Sequence, residues 1–389
     1  MKSFSRAALA TDVSIIKRIE LLAKDYNGVV SLAQGTPSFN TADHIKQAAI
    51  DAINKNLVGK YTPGFGIAPL RVAIAKKVKR DNGIDVIPEE VIVTHGGLEA
   101  LMAIFLAFLN PNDEIIVPTP DYASHLTQIT IATHGGNAIA VPLIEKDGVW
   151  ALDPKDIEKA ITPKTKAILI CNPSNPTGKV YSLNELKQIA QIALKHDLYI
   201  IADEMYEYYT FDEKKHVSIG SFPEVANRTI TVFGVSKSYA MTGWRIGYIV
   251  AKRNLIDEIF KIHDSLITCP TAVSQYAALA AIEGPQDNVA EYKSAFLKRR
   301  AIVAEELAKT DKLSFGMPQG AYYSFPKILK PVDDIKFCIK LVKEAKVAVV
   351  PGSPFGKGGE NHIRLMFGCE EDVLREALQR LVHYLNMSF

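Results

Sequence analysis

Lys237 stands where an apolar, β-branched run, Thr229-Ile-Thr-Val-Phe233, gives way to the polar stretch Ser236-Lys-Ser-Tyr239. The run reads as a buried strand that ends near Gly234 and passes into a loop. A lysine just past a buried strand end is partly dehydrated, which disfavours the ammonium form and frees a nucleophilic amine. Arg245 follows eight residues later, a fixed cation able to grip a phosphate or a carboxylate. A solvated lysine at a sheet edge would look the same in isolation, so the neighbouring strand ends decide between the two readings.

Three more strand ends carry chemistry, and in parallel sheets ligands bind beyond such carboxyl ends. Thr94-His-Gly-Gly97 leads from strand to helix. Its glycines let backbone approach an anion, and the helix start adds N–H donors and a positive dipole, although a plain tight turn has the same form. Asn172-Pro-Ser-Asn-Pro-Thr-Gly178 contains two Asn-Pro steps, which make a rigid extended loop and pre-set the Asn175 amide, unless the loop is purely structural. Asp203 ends the run Leu198-Tyr-Ile-Ile-Ala202, apolar on both faces; a carboxylate there needs a partner or serves as a helix cap. Tyr122, in Pro120-Asp-Tyr122, lies at a further strand end and is either a core aromatic or a ring available for stacking. An amine, a buried carboxylate, an amide, a phenol and an anion cradle together suit pyridoxal phosphate. Lys237 would form the Schiff base, Asp203 would keep the pyridine nitrogen protonated so that the ring acts as electron sink, and Arg245 with the glycine turn would hold the phosphate.

The elements that must position these residues follow from the pattern. Strand-like and helix-like runs alternate from about residue 90 to 250: Val91–Thr94, a helix from Leu98 to Leu109, Glu114–Val117, Lys166–Cys171, a helix opened by the capping box Ser182-Leu-Asn-Glu185, Leu198–Ala202 and Thr229–Phe233. This alternation predicts an α/β fold with a mostly parallel central sheet covered by helices. A helix-rich stretch from about 254 to 310 precedes a tail with the pattern of a smaller α+β domain. In that tail Asp333–Lys346 is helical in pattern, Val347–Val350 a strand and Gly352–Gly359 a loop. The expected organisation is an N-terminal arm and helix, residues 1–45, packing with the small domain; a large cofactor domain, 46–283; and a small C-terminal domain, 284–389. The chain has 389 residues, 48% hydrophobic and 23% charged, with net charge +2, which suggests neither nucleic acid nor an anionic membrane as partner. Cys171, Cys269, Cys338 and Cys369 are widely spaced, with no CxxC pair; they read as reduced thiols of a cytoplasmic protein and not as a metal site. The first ten residues hold too short an apolar run for a signal peptide, and the longest apolar stretch, Leu101–Leu109, is a core helix segment.

Taken over nearly the whole chain, these motifs resemble the fold-type-I pyridoxal-phosphate aminotransferases of the aspartate/aromatic group (class I/II). Ser236-Lys-Ser-Tyr-Ala-Met-Thr-Gly-Trp-Arg-Ile-Gly247 resembles the group's lysine signature, and Asn172–Gly178 its Asn-Pro-x-Asn-Pro-Thr-Gly loop. The resemblance implies that Lys237 carries the cofactor and shuttles the α-proton, that Asp203 pairs with the pyridine nitrogen, and that Asn175 and Tyr206 contact the ring oxygen. It also implies that Tyr122 stacks on the ring and that Gly96, Gly97, Leu98, Ser236 and Arg245 surround the phosphate. Tyr61, in Lys60-Tyr-Thr-Pro-Gly64, is similar to a tyrosine that reaches the phosphate of the partner subunit, which implies a homodimer. Arg364 resembles the arginine that grips the substrate α-carboxylate, and Gly35 the glycine whose backbone meets the same group. A small domain that closes over substrate is implied as well.

The sequence departs from the group at the phosphate turn, where Leu98 and Glu99 follow Gly97 and a glutamine is usual at the second position. Some aspartate-preferring relatives carry a lysine where Leu98 stands, so the donor is left open between aspartate, aromatic and broader choices; His95 beside the turn is also unusual and is expected to cap it. The expected reaction is a ping-pong amino transfer, with 2-oxoglutarate as acceptor, serving amino acid metabolism and biosynthesis. A β-lyase acting on cysteine conjugates would use the same lysine and aspartate. A non-enzymatic regulator on this fold would carry a DNA-binding domain ahead of it, and only about thirty residues precede Gly35. A nicotinamide dehydrogenase is disfavoured because no GxGxxG follows a strand.

Overall fold

Seven apolar runs build one sheet: β1 (Val91–Thr94), β2 (Glu114–Thr119), β3 (Ala138–Pro142), β4 (Thr165–Cys171), β5 (Tyr199–Asp203), β6 (Thr229–Gly234) and β7 (Gly247–Val250). Their spatial order is β1-β7-β6-β5-β4-β2-β3, and every neighbouring pair is parallel except those of β7, which runs antiparallel to both β1 and β6. The computed structural model describes residues 3–136 and 138–388; Met1, Lys2, Asn137 and Phe389, with the outermost ends of the expected first and last segments, lie outside the described residues.

Apart from the half-buried edge strand β3, the strands are largely apolar because both faces are covered. In β4, Ile168 and Ile170 enter one buried cluster while Ala167 and Leu169 enter another. β5 divides the same way, Ile200 and Ala202 against Ile201. The helix Gly97–Phe108 covers one face through Ala100, Leu101, Ile104 and Phe105, and Leu183–Lys195 covers the other through Leu186, Ile189 and Ala190. The capping box is present: Ser182 Oγ accepts from the Glu185 N–H at 3.2 Å, and the Glu185 carboxylate accepts from the Ser182 N–H at 2.8 Å. Cross-strand register brings the carboxyl ends of the parallel strands into one row, with Cys171 beside Asp203, Asp203 beside Val232, and Gly247, the first residue of antiparallel β7, between Thr94 and Gly234.

Three helices, Arg253–Ile267, Ala272–Glu283 and Asp287–Leu307, occupy the expected helix-rich stretch. In the tail, β8 (Tyr323–Ser324), β9 (Val350–Pro351) and β10 (Ile363–Met366) form an antiparallel sheet with β10 in the middle. The expected strand over Val347–Val350 is in fact two, since Val347–Ala348 pairs in parallel with Val30–Ser31 and only then does the chain turn to join β10. Asp334–Lys340 is α-helical but Leu341–Ala345 winds as a π turn before Lys346. The N-terminal helix Ile15–Lys24 buries Ile15 and Ile19 in the same cluster as Val347, Val349 and Leu381, which fastens the beginning of the chain to the tail. Among the described residues no helix is long and apolar enough to cross a membrane.

Candidate active site

β6 does not run into a loop as the sequence suggested. Gly234 leads directly into a four-residue helix, Val235–Ser238, so Lys237 projects from a rigid turn at the sheet edge. The Tyr209 hydroxyl donates to the Lys237 carbonyl at 3.1 Å and steadies that turn. The Lys237 amine itself donates to the Gly35 carbonyl at 2.7 Å. Burial, then the cations of Arg364 and Arg245, push the amine's pKa down to about 8 against the pull of Asp203.

Asp203, the last residue of β5, has the partner its burial demands. One carboxylate oxygen accepts from the Met205 N–H at 3.1 Å, and the other lies 2.9 Å from Nε2 of His125. Nδ1 of the same imidazole lies 2.7 Å from Asp121. Burial would lower the His125 pKa, but Asp121 and then Asp203 more than offset it and raise the imidazole to about 10. An imidazolium is thus held between Asp121 and Asp203, which fixes the direction in which Asp203 points. Tyr122 precedes the helix Ala123–Ala132 that carries His125, and its ring meets that imidazole edge-on at 5.3 Å.

The glycine turn after β1 and Arg245 face each other. Gly96 has φ +80, and a Cβ placed there would stand 2.4 Å from Nη2 of Arg245, so bare backbone is required for the guanidinium to lie alongside. Arg245 adopts a left-handed conformation and its Nη1 donates to the Thr242 carbonyl at 2.8 Å. The turn is capped by Glu99 and not by the His95 side chain: Glu99 accepts from the His95 N–H at 3.0 Å. The other Glu99 oxygen lies 3.0 Å from Nδ1 of buried His263, whose Nε2 lies 3.0 Å from the Gly64 carbonyl. Glu99 and His263 therefore tie the glycine turn to the Lys60–Gly64 segment.

Arg364, in β10, is one of the most buried side chains in the protein. Its Nη1 donates to Asn175 Oδ1 at 3.1 Å, its Nη2 donates to the Ala33 carbonyl, and its guanidinium lies 4.6 Å from the centre of the Tyr323 ring. Its Nε is buried without a partner among the described residues. The Tyr206 and Tyr323 hydroxyls are 2.9 Å apart, and burial, then Tyr323 and Tyr322, raise the Tyr206 pKa well above its ordinary value, keeping it a neutral donor. Gly35 is held against this group: a Cβ there would stand 2.2 Å from the Tyr323 hydroxyl.

These side chains line one cavity of about 500 Å³. Of the residues singled out from sequence, Gly35, Gly97, Leu98, Tyr122, Asn175, Asp203, Tyr206, Ser236, Lys237, Arg245 and Arg364 all border it. Gly96 adjoins it through Arg245. Tyr61 does not border it; its side chain is 87% exposed. Sequence reasoning missed His125, Asp121, Tyr323 and the Glu99–His263 pair. The Asp121-x-x-x-His125 spacing, one helical turn, was the available sign of the first two; the link to Asp203, 78 positions on, was not.

The sequence matches the family described as Aminotransferase class I and II over residues 27–381. It is 38% identical to an aspartate aminotransferase of Geobacillus stearothermophilus, covering 99% of each chain, and 37% identical to aromatic-amino-acid aminotransferase 2 of Thermococcus litoralis, covering 95% of this chain and 94% of that one. The fold superposes on the aspartate aminotransferase from Thermus thermophilus with maleate at a TM-score of 0.91 and 35% identity, covering 98% of this chain and 100% of the other.

Proposed function

The chain belongs to the class I and II aminotransferases, which depend on pyridoxal phosphate, and from that membership we propose that it moves the amino group of an L-amino acid, aspartate or an aromatic donor, to 2-oxoglutarate. The two substrates use one cavity in turn, which makes the scheme ping-pong. The observation that carries this reading is the meeting of an amine of depressed pKa, Lys237, with Asp203, Arg245 and Arg364 around one cavity.

The residues fit the cofactor. Gly96 leaves room beside Arg245 that a Cβ would fill, as an anion cradle requires; with Gly97, Leu98 and Ser236 they are the residues to hold the phosphate. Asp203, held in place by His125, is the partner for the ring nitrogen, Asn175 and Tyr206 for the ring oxygen, and Tyr122 for the ring face. When bound, the cofactor supplies an electrophilic carbon for amines and a ring that delocalises the electron pair left at the substrate α-carbon. Arg364, with an unused Nε in a dry site, binds the substrate α-carboxylate, and the Gly35 backbone orients the same group. That grip presents the α-hydrogen to Lys237 Nζ, which takes the proton as base and returns it as acid. An amine with a pKa of about 8 is matched to both tasks near neutral pH.

The high exposure of Tyr61 supports its use outside its own chain's cavity, at the phosphate of a second subunit in a homodimer. The attachment of the Ile15–Lys24 helix to the tail supports an arm (1–45) that moves with a small domain (284–389) over the large domain (46–283). The reading is tested by mixing enzyme with a single donor and no acceptor. Release of 2-oxo acid should stop at one equivalent per active site and resume when 2-oxoglutarate is added. Sustained pyruvate release from a cysteine conjugate, with no acceptor needed, would instead identify a β-lyase.

A further inference from the structure

Among the described residues five charged side chains line the cavity: Lys17, Asp203, Lys237, Arg245 and Arg364. On the reading above, Lys237 is the catalytic amine and Arg245 and Arg364 neutralise the cofactor phosphate and the substrate α-carboxylate. Asp203 is matched by His125. Lys17 is left without a task. Among the described residues it makes no hydrogen bond, ion pair or cation–π contact, in contrast to the two arginines, both of which donate to carbonyl oxygens.

Its position is not that of an arbitrary surface lysine. Lys17 lies in the first turn of the Ile15–Lys24 helix, and that turn is fixed from below, since Ile15 and Ile19 are buried in the core. Ser14, Ile16 and Lys17 together form one wall of the cavity. Leu98, Leu101 and Tyr122 also line it and supply no charge. The rest of the lining is uncharged, apolar at Ile16, Leu98 and Leu101 and polar at Gln34, Thr36 and Ser124, so a substrate held through its α-carboxylate at Arg364 shares the cavity with one uncommitted ammonium. A flexible four-carbon stem lets that ammonium approach an anionic side chain or withdraw from a neutral one, so that one cavity serves both classes.

Resting on the aminotransferase reading, we infer that Lys17 is the residue that selects dicarboxylic substrates, the acidic amino acids and their 2-oxo acids, by receiving their second carboxylate. The charge that Leu98 does not provide from the glycine turn then comes from the N-terminal helix of the same chain.

The test uses the holoenzyme and the variants Lys17→Met and Lys17→Arg. One readout is the ratio of kcat/KM for aspartate or glutamate over that for phenylalanine; the other is equilibrium binding of maleate, an unreactive dicarboxylate. Lys17→Met should lower the ratio and weaken maleate by roughly ten- to a hundredfold, the worth of one hydrogen bond between charged groups, while Lys17→Arg keeps most of both. A ratio and a maleate affinity within twofold of the parent would overturn the inference. So would equal losses for dicarboxylic and monocarboxylic donors, or a parent enzyme that accepts only monocarboxylic donors. Failure of the aminotransferase reading shows differently, as the absence of amino transfer from every donor in the unmodified enzyme.

Discussion

Replacing Gly96 by alanine separates the glycine turn from everything else in the site. Two costs can be worked from the geometry. The residue has φ +80 and ψ 169, a region that L side chains rarely enter, and holding alanine there costs about 1–3 kcal/mol. The new Cβ would stand 2.4 Å from Arg245 Nη2, where ordinary contact begins near 3.4 Å, so the guanidinium must retreat by roughly an ångström. Displacement of that size breaks the alignment of one or two charge-assisted hydrogen bonds to a phosphate, each worth about 1.5–3 kcal/mol. Cofactor affinity, measured by titrating apoenzyme with pyridoxal phosphate, should fall about ten- to 150-fold for one such bond, and the apoenzyme should melt a few degrees lower. The same substitution made on top of Arg245→Ala should still lower the melting temperature but should cost little further affinity, since the group it displaces is gone. Equal affinity losses in the two backgrounds, or an affinity within twofold of the parent in Gly96→Ala itself, would show that Arg245 and the turn do not grip one anion together.

Two further outcomes follow from the site's electrostatics. The Lys237 amine, pushed down to about 8 chiefly by burial, is the free base above that pH; the rate at which apoenzyme binds pyridoxal phosphate covalently should rise through an inflection near 8, and an inflection near the ordinary lysine value of 10.5 in stopped-flow absorbance would contradict the burial argument. His263→Leu leaves Glu99 and the Gly64 carbonyl without their partner and should destabilise the protein by about 2–3 kcal/mol in urea unfolding at neutral pH. Glu99→Gln should cost clearly less, because an amide oxygen still accepts from the His95 N–H, and equal losses would refute the pairing.

Five of the seven strands were legible in the sequence because they are buried on both faces and are therefore written as largely apolar runs, as in Lys166–Cys171 and Thr229–Phe233; the half-buried edge strand Ala138–Pro142 and the short antiparallel strand Gly247–Val250 were not read. The chemistry was legible for a related reason: the residues at strand ends, Lys237, Asp203, Asn175 and the Gly96-Gly97 pair, stand next to those runs, and their types are unusual beside a buried edge. Local context also sufficed for the capping box at Ser182. It failed where a segment's partners lie elsewhere. Val347–Val350 reads as one strand, but parallel pairing with Val30–Ser31 and antiparallel pairing with Ile363–Arg364 divide it, and no local pattern encodes two different neighbours. His125 looks like any residue of an amphipathic helix until the fold brings Asp203 to its far nitrogen. Arg364 is marked for the substrate carboxylate by resemblance alone; the tertiary structure supplies the physical ground, burying it against Tyr323 and Asn175 and leaving its Nε without a partner among the described residues. Lys17 acquires meaning only when packing of Ile15 and Ile19 swings the N-terminal helix onto the cavity wall. Residue types and their spacing along one strand or turn determine which groups can act; the long-range burial of apolar faces determines which of them meet, with what charge, and in which direction they point.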